Sequence, residues 1–176
     1  LPAINLDVNI SPVQFRYSNI LESVVNALDK TGFPASHLEL ELTESALMTH
    51  ESEAAEILNQ LRQLGVRLAI DDFGTGYSSL AYLKRFPLDV LKIDKSFVDD
   101  IPHKKDDMEI AATIVAMAHT LRLKVMAEGV ETEEQLAFLK SQGCDCYQGY
   151  LMSQPVPAAQ FEQLLWEQQL REHQPV

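Results

Sequence analysis

Asp71 and Asp72 stand side by side at the end of the apolar run Leu68-Ala69-Ile70 and open onto Phe73-Gly74-Thr75-Gly76. Two like charges one residue apart repel, so the pair is costly unless a positive partner sits beside it. A hard divalent cation is the simplest partner, because Mg²⁺, Mn²⁺ and Ca²⁺ prefer carboxylate oxygens. Taken alone, the pair reads equally well as a solvated turn. The wider layout of the chain decides between the two.

Short β-rich runs alternate with amphipathic helical stretches along the whole chain. The predicted strands are Ile4–Ile10, Leu38–Leu42, Arg67–Asp71, Asp89–Ile93, Lys124–Glu128 and Cys144–Gln148. Helical stripes run through Leu21, Val24, Val25 and Leu28, through Ala54, Ile57, Leu58 and Leu61, and through Ile110, Ile114, Met117 and Leu121. Gly32, Gly65 and Gly143 fall where a helix must stop before a strand, and Thr132-Glu133-Glu134-Gln135 reads as a capping box. Strand, helix, strand, helix in this order implies parallel strands with helical crossovers.

Asn9, Glu41, Asp71, Lys92, Glu128 and Gln148 each lie at or next to the C-terminal end of a different predicted strand. In a (β/α)₈ barrel that rim is where active sites are built. Alternation puts Asn5, Asp7 and Asn9 on one face of the first strand and Glu39 with Glu41 on one face of the second. Lys92 shares its side with Asp94. Glu39 should therefore face inward below Glu41, and the sequence offers it no evident partner.

With those residues in place the chain resembles the EAL class of cyclic di-GMP phosphodiesterase domain. The resemblance rests on Val8-Asn9-Ile10-Ser11, Glu41-Leu42-Thr43-Glu44-Ser45, Asp71 through Leu80, Leu91-Lys92-Ile93-Asp94, Ala127-Glu128-Gly129-Val130-Glu131, Gln148-Gly149-Tyr150-Leu151 and Gln154-Pro155-Val156-Pro157. It implies a TIM-like (β/α)₈ barrel, of which about six βα units are present here. It also implies metal-dependent hydrolysis of cyclic di-GMP to linear pGpG with two Mg²⁺ or Mn²⁺ ions, and inhibition by Ca²⁺.

By position, the resemblance assigns Asn9, Glu41 and Asp71 to the first ion, with Asp71 bridging and Asp72 and Glu128 on the second-ion side. Glu128 and Lys92 are the alternative activators of the attacking water, and Gln148 lies near the substrate. Glu44 and Glu131 hold the Asp-Phe-Gly loop, and Asp94 supports Lys92. The resemblance further implies a homodimer through the region Asp72–Leu83, with sensory or diguanylate cyclase-like domains on the full-length chain.

The family's Glu-Ala-Leu segment, which would supply another first-ion ligand, is absent from these 176 residues. The expectation is a phosphodiesterase domain over 1–176 that lacks its N-terminal part, with two open sheet edges and no activity on its own. Residues 166–176 read as a helix end or tail.

A net charge of −12 argues against nucleic-acid polymers as partners, since those are bound through Lys and Arg. No run is apolar enough to span a membrane and no signal peptide is visible, so the expected location is cytoplasmic, with tethering of a full-length protein left open. Cys144 and Cys146 read as reduced core residues, and the five histidines show no ligand spacing. Gly74-Thr75-Gly76 reads as a mobile loop beside the metals, and His103 through Asp107 as a solvated loop before a helix.

Two other function classes stay open from the residues. One is the same fold as a non-catalytic module that binds cyclic di-GMP or a protein. The other is an enolase-like barrel lyase or racemase, in which Mg²⁺ stabilises an enolate and a strand-end Lys is the base.

Overall fold

The computed structural model describes residues 4–47, 51–74 and 83–172. Six parallel strands form one curled sheet in the order of the sequence: β1 (Leu6–Ile10), β2 (Leu38–Thr43), β3 (Arg67–Phe73), β4 (Val90–Ile93), β5 (Lys124–Ala127) and β6 (Cys146–Tyr147). All six predicted strands are present, with ends that shift by at most two residues. The helices among the described residues are α1 (Pro12–Tyr17), α2 (Ile20–Thr31), α3 (Glu44–Leu47), α4 (Glu51–Gln63), α5 (Lys105–Thr120), α6 (Glu133–Ser141) and α7 (Ala158–Glu172).

Register explains why the sheet has one oily face and one charged face. Leu40 pairs with Leu68, Leu42 with Ile70, Ile70 with Leu91, Leu91 with Val125, and Ile93 with Ala127. These residues stack on the outer face and are almost completely buried beneath the helices. Asp7–Glu39–Arg67 and Asn9–Glu41–Ala69 are the register rows of the opposite face. A one-residue slip would put every carboxylate into the oily layer, so the hydrophobic pattern fixes where the charges point.

Helix boundaries follow local chemistry. The Thr132 side chain accepts from Gln135 N while the Gln135 side chain returns to Thr132 N, which is the expected capping box. Gly32, Gly65 and Gly143 have φ of 66°, 92° and 87° after their helices, as the punctuation required.

Two expectations need correction. The stripe of α5 is Ala111, Ile114, Val115 and Ala118, whereas Ile110 is 39% exposed, because the sheet meets that helix about one position round from the predicted face. The stretch from His103 is only partly a solvated loop: α5 already begins at Lys105, and Asp107 is buried and paired with Lys104 at 3.0 Å. The C-terminal helix α7 runs from Ala158 through Glu172 and so includes the stretch from Trp166; residues 173–176 lie outside the described ones.

At β1 the outer residues Leu6 and Val8 are 48% and 37% exposed. No helix of the described residues is long and apolar enough to cross a membrane.

Candidate active site

Lys92 is the centre of the charged face. It lies in the middle of β4 and is 2% exposed. Its Nζ donates to Glu41 Oε1 at 2.7 Å, pairs with Glu128 Oε1 at 2.5 Å and stands 3.8 Å from Asp71 Oδ1. Burial opposes the charge on Lys92, but the hydrogen bonds to Glu128 and Glu41 more than offset it and hold the ammonium above its ordinary range. Four segments thus converge on one point: β2 through Glu41, β3 through Asp71, β4 through Lys92 and the turn after β5 through Glu128.

The Asp71-Asp72 pair lies near the end of β3, where the backbone is strained at Asp72. Asp72 has φ 55°, an uncommon conformation for a residue with a side chain, and its N–H donates to Asp71 Oδ1 at 3.0 Å. The ladder between β3 and β4 shifts register between Ile70 and Phe73, so the sheet kinks where the carboxylates emerge. Burial, then repulsion from Asp71 and Asp94, pushes the Asp72 carboxyl up, and burial pushes Glu128 up against the pull of Lys92.

Asp71, Asp72 and Glu128 each offer a carboxylate oxygen within 4.8 Å of the others. Three hard oxygen donors at that spacing fit Mg²⁺ or Mn²⁺. Asn9 is the register partner of Glu41 on β1, so it belongs to the same charged face of the sheet.

Glu128 is carried by a turn gripped from both sides. Its N–H donates to Ile93 O at 3.1 Å, and Val130 N–H donates to Gln148 O at 3.0 Å. Leu151 N–H donates to Val130 O at 3.0 Å. A Cβ at Gly149 would run into the Val130 backbone, so only glycine lets the segment after β6 approach this closely. From the other side the Lys95 stem lies against Gly129, and its Nζ reaches Glu131 Oε1 at 2.7 Å. Sequence reading missed Lys95. Its only signal was a place three residues after Lys92, on a connection that crosses the site.

The other expected residues are placed as follows. Gln148 is exposed and lines a cavity of about 820 Å³ together with Asp7, Lys95, Glu131 and Tyr147. Glu131 is bound by Lys95, and Glu44 opens α3 directly after β2. Their proposed loop partners at 75–82 lie outside the described residues, as does the Gly74-Thr75-Gly76 loop beyond Gly74 and most of Asp72–Leu83. Asp94 accepts from Ser96 N–H at 3.0 Å and from the Ser96 hydroxyl, and so caps the 3₁₀ turn that carries Lys95 instead of bonding Lys92. The cause is geometric: Asp94 falls one residue past the end of β4 and no longer follows the strand alternation.

Glu39, which lacked a partner in the sequence, is paired with Arg67 at 2.8 Å. Cys146 is exposed, contrary to the core reading, because β6 ends the sheet. Cys144 is half-buried, and both thiols are free. His119 bonds Asp145 at 3.0 Å and His37 bonds Asn5 at 3.1 Å; both are structural contacts away from Lys92.

A family model described as "EAL domain" matches residues 1–155. The "Cyclic di-GMP phosphodiesterase NbdA" of Pseudomonas aeruginosa is 52% identical over 162 residues, which is 92% of this chain and 21% of that protein. The chain therefore spans about a fifth of the length of that relative. Among solved structures, "PaMucR Phosphodiesterase, c-di-GMP complex" superposes with a TM-score of 0.86 at 49% identity, covering 89% of this chain and 64% of the other. Klebsiella pneumoniae BlrP1, solved as manganese/cy-diGMP and calcium/cy-diGMP complexes, superposes at 0.78 with 35% identity over 86% of this chain and 39% of the other.

Proposed function

The chain belongs to the EAL domain family, and from that premise we propose that its charged sheet face hydrolyses cyclic di-GMP to linear pGpG. The observation that supports this most is the convergence of Glu41, Asp71 and Glu128 on the buried ammonium of Lys92, with Asp72 beside them. Asn9, Glu41 and Asp71 would hold one divalent ion, and Asp71, Asp72 and Glu128 a second. Such ions polarise a phosphodiester and lower the pKa of a bound water.

The chain's own residues do the rest. Glu128, oriented by Lys92, is the acceptor for the proton of the attacking water, and Lys92 supplies positive charge beside the phosphate. Water adds to phosphorus, one P–O bond to a ribose 3′ oxygen breaks, and that oxygen takes a proton. Gln148, on the rim of the cavity, contacts substrate. Glu44 and Glu131 support the loop after Asp72. Companion sensory or cyclase-like domains and a dimer through Asp72–Leu83 belong to the same proposal. The place of the chain within a much longer relative is consistent with such companions.

The test uses the full-length protein with cyclic di-GMP and follows pGpG. Turnover is expected with Mg²⁺ or Mn²⁺, with loss in excess chelator and inhibition by Ca²⁺. Glu128→Gln, which keeps the shape and removes the charge, should lower turnover by about 10²-fold. Full hydrolysis in excess chelator would overturn the proposal. Tight binding of cyclic di-GMP with no turnover under any ion would replace it with a binding module.

A further inference from the structure

Lys92 is not only near the carboxylates that would hold an ion; it is already bonded to them. One Nζ serves Glu41 at 2.7 Å and Glu128 at 2.5 Å, from segments on opposite sides of β4, with Asp71 at 3.8 Å. Glu128 and Asp71 are also two of the three residues whose oxygens cluster within 4.8 Å. An ion on that cluster must share both with an ammonium that is 2% exposed. Two cations held within a few ångströms of each other in a partly buried site repel strongly, since little solvent screens them.

We propose that Lys92 is an internal competitor that sets how tightly the site takes its divalent ion: it gives Glu41 and Glu128 a resident positive charge, and an ion gains them only by weakening those ion pairs. The inference rests on the metal-dependent reading of the site but concerns ion affinity, not turnover. It explains why a lysine, a poor neighbour for a metal, lies between its ligands. The pairs tie four segments together around the site, and they prevent capture of an ion so tight that the ligands cannot rearrange.

The experiment measures Mn²⁺ affinity of the full-length protein without nucleotide, from the electron paramagnetic resonance signal of free Mn²⁺. Lys92→Met, which keeps the stem and removes the charge, should bind Mn²⁺ about tenfold more tightly or better. Lys92→Arg, which keeps the charge, should stay within about threefold of wild type. Unchanged or weaker binding in Lys92→Met overturns the proposal. If Lys92→Met does not fold in chelator, its folding is measured against Mn²⁺ concentration. Rescue by Mn²⁺ supports exchange of one positive charge for another, and failure to rescue overturns it. Failure of the phosphodiesterase reading would appear separately, as absent pGpG with the Mn²⁺ affinities still ordered as expected.

Discussion

Arg67 and Glu39 are direct register partners on neighbouring strands, and the guanidinium reaches the carboxylate at 2.8 Å one row below Glu41. Glu39 is 3% exposed, and its second oxygen, Oε1, has no hydrogen-bond partner among the described residues. Burial raises the Glu39 carboxyl, and the charge of Arg67 opposes that rise. The pair thus serves as a lower brace for the row that contains Glu41.

Arg67→Ala should leave a buried carboxylate without its countercharge. The expected loss is roughly 3 kcal/mol of stability, read as a lowered urea midpoint. Adding Glu39→Gln should recover much of it. If the double variant is as unstable as Arg67→Ala, the loss comes from Arg67 packing and not from charge.

Gly149→Ala should be costly for a different reason. The new methyl meets the Val130 backbone, which cannot rotate away as a side chain could. The expected destabilisation is about 2 kcal/mol, in the usual range for overpacking. Because the turn bearing Glu128 would have to shift, pGpG formation should fall more steeply than stability alone explains. A variant with wild-type melting and turnover would show that the approach of the two backbones is slack.

The two cysteines should differ in reactivity. Burial pushes the Cys144 thiol up to about 11, and its S–H donates to the Cys146 carbonyl at 3.2 Å. Cys146 is exposed. Iodoacetamide at pH 8 should therefore label Cys146 first, with Cys144 modified only on unfolding, as read by peptide mass spectrometry. Equal labelling rates in the folded protein would contradict this.

Asp145 provides a pH test. Burial raises its pKa, but the hydrogen bonds from His119 and from Val125 N–H together win and hold it below its ordinary value. A carboxyl lowered by folding adds stability above its unfolded pKa of about 3.9, and that gain is lost as pH falls through the folded value. The stability difference between wild type and Asp145→Asn should therefore shrink below about pH 4. A difference that stays constant to pH 2 would assign the effect to shape alone.

The six-strand order and the polar strand ends were legible because period-two alternation and helix punctuation are local properties. Leu38, Leu40 and Leu42 against Glu39 and Glu41 need no distant residue to reveal two faces. The same locality made the capping box at Thr132 and the stops at Gly32, Gly65 and Gly143 readable. It failed at Asp94, where a residue one step past a strand turned into a cap, and at Cys146, whose exposure depends on what lies beside the last strand. It also misplaced the stripe of α5, because a helix with apolar residues on several sides is oriented by the sheet it meets.

By itself the sequence determined which residue types reach the rim of the sheet, since the oily alternate positions must face the helices and the charges must take the other side. Only the tertiary structure decided who meets whom: that Lys92 bridges Glu41 and Glu128 across β4, that Arg67 answers Glu39, and that Lys95 and Gly149 clamp the turn of Glu128. Those partners lie 28 to 51 residues apart or on separate segments, so their pairing depends on strand register, kink and close backbone approach. These are properties of the assembled sheet, and no single stretch of chain carries them.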